Sequence, residues 1–377
     1  MMPQSPGSQR QDKARQYARL GRLLYMAELG IGVVFLLVLL LSPLSVDLRD
    51  LFDFALPLQV ALYAVVLVVC YGAVTAPLSL YRGFVLPRRY GLLSQGLRGW
   101  LWDEAKAGAL GLVMGVAALV LLYWLMAHFA QTWWLWAGLS LLLLTVVLTN
   151  LAPLVIVPLF YRLEPLGDAT LGERLAGLAR RAGTRVKGVF TIDMSSKGTT
   201  GNAALMGLGN TRRIVLGDTI LDRYTTDEIE TIVAHELGHQ VHRDVPRLIC
   251  FQSAVTLLGL YLVHLVLAQG VAWLGFGGIA DIASFPLLAL LLGAFALVVA
   301  PLESAYSRHL EGAADEYALA LTDNPQGFVT MMTKLADQNL SEAKPPRWVE
   351  LLFYDHPPYQ KRLARAYGYA ARREGER

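Results

Sequence analysis

Along this chain the apolar residues gather into long unbroken runs, not the short stripes of a soluble domain. Six runs, at approximately 23–42, 56–80, 106–129, 132–160, 248–273 and 285–306, reach the length of about twenty residues that a helix needs to cross a bilayer. Between the fourth run and the fifth the pattern changes. Residues 171–183 carry apolar positions at helical spacing and stop at Gly183, while the β-branched runs at 186–194 and around 213–219 predict strands. A further short strand is predicted at 202–207, between turns rich in glycine and asparagine. Thr225 or Thr226 can then cap a helix whose positive end carries Asp227, Glu228 and Glu230, with Ile229, Ile232, Val233 and Leu237 as its buried stripe. The expected fold class is a mainly α-helical polytopic membrane protein of about six transmembrane helices with a small α/β domain. Its expected divisions are 1–160 with four spans, an α/β insert at 161–247, two further spans in 248–306, and a C-terminal part at 307–377.

Charge orients this plan. The first run follows a basic segment (Arg10, Lys13, Arg15, Arg19, Arg22) and is longer than the core of a signal peptide, so it reads as an uncleaved anchor. Segments 81–105 and 161–247 and the C-terminal tail are also rich in Arg, whereas 43–55 carries Asp47, Asp50 and Asp53 and 274–284 only Asp281. Basic and non-basic loops alternate, which puts both termini and the two large polar segments in the cytoplasm. Composition agrees: 55% hydrophobic and 17% charged residues exclude a soluble enzyme, a disordered chain and a disulfide scaffold. The net charge of +3 is too small to argue for nucleic acid as a partner. Cys70 and Cys250 lie within apolar runs, so any metal must be held by histidines and carboxylates. A transporter would place polar groups mid-membrane, but the spans contain few: His128 and His264 are isolated, and His128 lies at a span end.

The candidate chemistry stands outside the apolar runs. His235, Glu236 and His239 form an H-E-x-x-H motif on the capped helix. Residues four apart lie one above the other on a helix, so both imidazoles can reach one metal ion while Glu236 projects beside them to hold a water. A zinc site with two histidines needs a third protein ligand and leaves a position open. The sixth run leads into SAYSRHLEGAADEYALA, where Glu311 and Asp315 are one turn apart, flanked by small Gly312, Ala313 and Ala314. Glu311 is the expected third ligand of a single zinc ion, and Asp315 the partner of a ligating imidazole. His309 points to another face and His242 is off register; both read as surface histidines. His239 is nine residues from the fifth run, at most ~14 Å along a helix, so the metal is expected near the headgroup region.

These residues resemble a family, the type I CAAX prenyl proteases, which are integral-membrane zinc endopeptidases. The resemblance runs from 90–107 (YGLLSQGLRGWLWDEAKA) through GNAALMGLGNTRRIVLGDTIL, HELGH and SRHLEGAAD to DHPPYQKRL. It departs at Leu92 and Leu93, where Phe-Asn is usual, at Ala204, where Tyr is usual, and in the span count, since eukaryotic members have seven. The resemblance implies zinc at His235, His239 and Glu311, Glu236 as general base, and Asp315 behind the ligands. It further implies that Asn202, Ala203 and Ala204 lie on an edge strand that receives substrate, that His356 assists at the scissile carbonyl, and that Arg362 braces this element. The expected activity is zinc-dependent hydrolysis of membrane-associated proteins or peptides, prenylated CAAX-type substrates among them, at the cytoplasmic surface of the bilayer. The Arg-over-Lys bias and compact loops suggest a bacterial inner membrane. Two other readings share the motif: a quality-control protease resembling the HtpX group, which has fewer spans, and a non-enzymatic membrane scaffold or transporter whose structural zinc would be closed by a fourth protein ligand.

Overall fold

The structure, a computed structural model, describes residues 8–207 and 212–375. Among the described residues, six helices are long and apolar enough to cross a membrane. Four belong to the N-terminal half: α1 (Ser8–Leu41), α2 (Leu56–Leu80), α3 (Leu97–His128) and α4 (Trp133–Leu151). Many of their large apolar side chains, such as Val68, Val113 and Leu143, are exposed, as a lipid-facing surface requires.

Two features differ from the polar-loop pattern of the sequence. The basic segment before the first span is already helical, and Arg22 of α1 pairs with Glu342 at 3.0 Å while Gln11 accepts a hydrogen bond from the Ala343 N–H at 3.1 Å. Residues 81–105 are likewise mostly helical: α2 continues through a π-turn at Tyr81–Val85 to Arg89, and α3 starts at Leu97. Arginines mark where a helix leaves the lipid, not where it ends. The short link that remains docks on the insert, with the Ser94 N–H donating to Lys197 O at 3.0 Å and the Thr199 N–H to Leu92 O at 3.1 Å. At the opposite end of the bundle the two non-basic loops meet, where Arg49 reaches Asp281 at 2.6 Å.

The insert is a four-stranded sheet of order β1-β2-β4-β3, from β1 (Leu163–Pro165), β2 (Gly188–Ile192), β3 (Ala203–Met206) and β4 (Arg213–Gly217). The central pair β2 and β4 is parallel; β1 and β3 are antiparallel edge strands. Of the expected glycine turn after β3, residues 208–211 lie outside the described residues. Helix α5 (Ala169–Arg181) buries Leu171, Leu175 and Leu178 against Ile214 and Leu216. Helix α6 (Thr226–Val241) is capped by Thr225, whose hydroxyl accepts from the Glu228 N–H while the Glu228 carboxylate accepts from the Thr225 N–H at 2.8 Å. Its stripe of Ile229, Ile232, Val233 and Leu237 joins the same core. After a break at Arg243 come α7 (Asp244–Leu274) and α8 (Phe285–Thr322), then α9 (Pro325–Gln338), α10 (Arg347–Phe353) and α11 (Tyr359–Gly375).

Candidate metal centre

The centre forms where α6 crosses the far end of α8. A glycine permits this crossing: a Cβ on Gly238 would lie 3.1 Å from Ala314 Cα and 3.2 Å from its carbonyl oxygen. With the backbones this close, the short side chains of both helices meet at one point. His235 Nε2 and His239 Nε2 are 3.2 Å apart, and each is 3.3 Å from an oxygen of Glu311. Ligand atoms ~2.0–2.2 Å from a tetrahedral ion would be separated by roughly 3.3–3.6 Å. The edges are near that figure, but the His235 edge ends on Glu311 Oε2 and the His239 edge on Oε1, so the carboxylate meets the two imidazoles with both of its oxygens, and one ligand atom from each residue lies within 4.8 Å of the others. Glu311 Oε2 is moreover buried without a hydrogen-bond partner, which a carboxylate in a protein interior does not ordinarily accept. Among the described residues, this is the group whose ligand atoms could hold a metal.

Behind the two imidazoles stand two buried carboxylates. His235 Nδ1 is 3.1 Å from Asp315 Oδ1, and His239 Nδ1 is 2.8 Å from Asp244 Oδ2. Each Nδ1–H then donates to its carboxylate, which leaves the Nε2 lone pairs aimed at the shared point. Asp315 is fully buried and is gripped by Arg362, whose Nε donates to both of its oxygens at 2.9 and 3.1 Å. Arg362 Nη2 is also 3.3 Å from His235 Nδ1. That nitrogen cannot accept from Arg362 while donating to Asp315, and the shorter contact with the full carboxylate decides for the latter. Burial disfavours charge on His235, but the carboxylates of Asp315 and Glu311 beside it prevail and raise its pKa to about 9.

Glu236 faces a cavity of about 450 Å³ bordered by Asn202, Ala203, Tyr354, His356 and Arg362. Burial raises its pKa above the ordinary glutamate value, with His235 and His239 pulling the other way. His356 stands across the site, with Nε2 3.2 Å from Glu311 Oε1 and Nδ1 2.8 Å from Asp355 Oδ1. Hydrogen bonds to Asp355 and Glu311 raise its pKa to about 10, against the opposing effect of burial. Asn202 and Ala203 reach the cavity, whereas Ala204, next along β3, is not among its lining residues. His309 is exposed and His242 packs on the Tyr317 ring, both apart from the centre. Asp244 escaped the sequence reading altogether. The one available signal was an acid five residues beyond the second histidine, but it falls past a break in the helix that periodicity does not cross.

Residues 165–370 match the family model for peptidase family M48, and residues 2–162 match that for the CAAX prenyl protease N-terminal region of five membrane helices. An uncharacterized metalloprotease, YhfN of Bacillus subtilis, is 29% identical over 360 residues, covering 94% of this chain and 84% of that protein. The CAAX prenyl protease 1 homolog of Oryza sativa is 29% identical over 303 residues, covering 76% of this chain and 68% of that protein. CAAX prenyl protease 1 of Saccharomyces cerevisiae is 31% identical over 186 residues, covering 49% of this chain and 41% of its own. The crystal structure of S. mikatae Ste24p has the same fold, with a TM-score of 0.86 at 23% identity over 96% of this chain and 91% of that one. A match to the M48 model over more than half of its length means that this chain belongs to peptidase family M48, as an integral membrane metalloprotease.

Proposed function

We propose that the protein is a zinc endopeptidase that cuts membrane-anchored peptides at the cytoplasmic face of a bacterial inner membrane. The observation that carries this reading is the cluster of His235, His239 and Glu311, whose ligand atoms lie within 4.8 Å of one another, with Glu236 beside it in a cavity bordered by a strand edge. His235, His239 and Glu311 would hold the zinc, with Asp315 and Asp244 fixing the imidazoles. Zinc, when bound, would polarise the scissile carbonyl and make water a better nucleophile at neutral pH. Glu236 takes a proton from the attacking water and delivers it to the leaving amine. Its raised pKa suits that exchange, because base and acid forms are then closer in energy near neutrality. His356, whose pKa is raised by Asp355 and Glu311, donates to the oxygen that gains charge as the carbonyl is attacked. Arg362 holds Asp315 in place. The edge of β3 at Ala203, next to Asn202 in the cavity wall, is offered to an extended substrate, which adds as a further strand.

Depth supports a substrate that arrives through the lipid. An apolar cavity of about 890 Å³ lies between α3, α4, α7 and α8, lined by residues such as Leu122, Val147, Leu260 and Phe295. Glu303 also lines it, eight residues before Glu311 on α8, or ~12 Å along the helix. A hydrocarbon anchor, a prenyl chain among the candidates, could lie there with its attached peptide at the metal. The grouping of the basic segments on one side of the bundle supports a cytoplasmic centre with both termini on that side. The match over 2–162 to a multi-helix N-terminal region argues against the HtpX-like reading, and membership of a metalloprotease family against a scaffold. The test is Glu236→Gln in proteoliposomes: zinc content should persist while cleavage of a lipid-anchored peptide falls by at least about a hundredfold. Full activity in that variant would remove the mechanism.

A further inference from the structure

The edge of β3 is open along only part of its length. Ala203 stands opposite Leu216 and Ala204 opposite Val215, and one step earlier the Asn202 C=O accepts from the Gly217 N–H at 2.9 Å. In an antiparallel ladder the residues that bond to the partner strand alternate. Asn202, Ala204 and Met206 therefore turn their backbone groups towards β4, whereas Gly201, Ala203 and Leu205 turn theirs to the free side. At Gly201 both outward groups are already taken. Its N–H donates to Asn339 Oδ1 at 2.9 Å, and its C=O accepts from Asn339 Nδ2 at 3.2 Å. One side-chain amide thus stands where the peptide group of an added strand would bond.

Asn339 is held firmly there. It caps the C-terminal end of α9, and the neighbouring Gln338 donates to Thr199 O at 2.7 Å while accepting from the Tyr224 hydroxyl at 2.8 Å. Gly201 is pressed against this pair, since a Cβ on it would lie 2.8 Å from Gln338 Oε1. Gly201, Ala203 and Asn339 line the same cavity as Glu236 and His356.

We propose that Asn339 is a register stop for the substrate. Its carboxamide closes the strand edge at Gly201, so an extended peptide pairs with Ala203 and Leu205 alone and must end or turn away at Asn339. The bond presented to Glu236 is then set by how far the peptide can slide, and Asn339 determines specificity without touching the reacting atoms. This rests on the reading that the free edge of β3 receives substrate.

The experiment uses the full-length, zinc-loaded protein in proteoliposomes and a series of peptides in which single amides are replaced by esters, which deletes one substrate N–H at a time. With the unaltered protein, sensitive positions should fall two residues apart, each raising KM about threefold to tenfold, as loss of a single hydrogen bond does. Asn339→Ala should add one sensitive position, two residues further on the Gly201 side, and should spread the cleavage sites seen by mass spectrometry. An Asn339 that merely steadies the 199–201 loop would change neither. Identical sensitive positions and cleavage sites in the two proteins would overturn the register stop while leaving strand addition intact. No sensitive position in either protein would mean that strand addition itself is wrong, and the proposal with it. If Asn339→Ala does not fold, Asn339→Ser, which is too short to span both Gly201 groups, decides by the same comparison.

Discussion

Asp244 holds His239 across a break between two helices: its Oδ2 is 2.8 Å from His239 Nδ1, although the two residues belong to different helices. Helix α6 ends at Val241, and α7 restarts after Arg243, which takes a left-handed conformation with φ of 57°. That turn swings the buried Asp244 back beneath the imidazole. Removing such a partner frees the ring to rotate and lowers its basicity. Asp244→Ala should weaken zinc binding by about 10- to 100-fold, and Asp244→Asn, which can still accept from Nδ1–H, by less. Competition against a chelator of known affinity measures both. Equal affinity in all three proteins would mean that Asp244 serves only the start of α7.

Gly238 sets how close α6 and α8 come. Any side chain there meets the Ala314 backbone, which cannot step aside as a flexible side chain would. Gly238→Ala should already destabilise the protein by about 1–3 kcal/mol, within the usual range for overpacking, and Gly238→Val by more. Because His235, His239 and Glu311 share the displaced elements, zinc content should fall together with the thermal midpoint. Full zinc occupancy in Gly238→Val would show that the ligands tolerate a wider crossing than the structure has.

Arg362 neutralises a carboxylate that has no access to water. Without the guanidinium, Asp315 would keep only His235 and a longer contact from Arg365 at 3.4 Å. Leaving a buried charge underpaired typically costs about 3–5 kcal/mol. Arg362→Ala should therefore lower thermal stability markedly even without zinc. Arg362→Lys should recover part of the loss, since one ammonium supplies charge but not the fork that spans both oxygens. A thermal scan of the metal-free proteins distinguishes this from an effect on metal binding.

These relationships differ in how plainly the amino-acid sequence announces them. The spans are legible because a bilayer demands continuous apolar helices, and Leu56–Leu80 or Trp133–Leu151 have no other reading. His235 and His239 are legible as neighbours because a four-residue spacing is a local property of one helix, and the same holds for Glu311 with Asp315. That the two pairs meet depends on a helix crossing, for which Gly238 and Ala314 were only a hint. Asp244 was hidden by the left-handed turn at Arg243, which ends the period on which the reading relied. Strand β1 was missed because three residues ending in Pro165 are too short for alternation to register. The helical ends at 81–89 and 97–105 read as loop because their arginines lie beyond the lipid, where polarity no longer separates helix from turn. Asn339 left no trace at all, since its partner Gly201 is 138 residues away.

The last prediction concerns protons. In the metal-free protein the pKa of His235 lies at about 9, above the ordinary histidine value, and that of His239 is raised too, burial on both being overcome by the carboxylates around them. A raised folded-state pKa means that protonated His235 stabilises the metal-free fold fully below the unfolded value of about 6.5. That contribution is lost as pH rises through about 9. On the proposed ligand set zinc needs the same nitrogens without their protons, so its binding should expel them. Affinity should rise from pH 6 to 8 by about tenfold per pH unit for each proton released, and titration calorimetry in buffers of different ionisation enthalpy should detect that release directly. The stabilising effect of zinc on the thermal midpoint should widen over the same interval, because the metal-free form gains nothing as the metal-bound form strengthens. Zinc affinity independent of pH between 6 and 8, with no proton release, would mean that the histidines are neutral before the metal arrives and that the surrounding carboxylates do not hold charge on them.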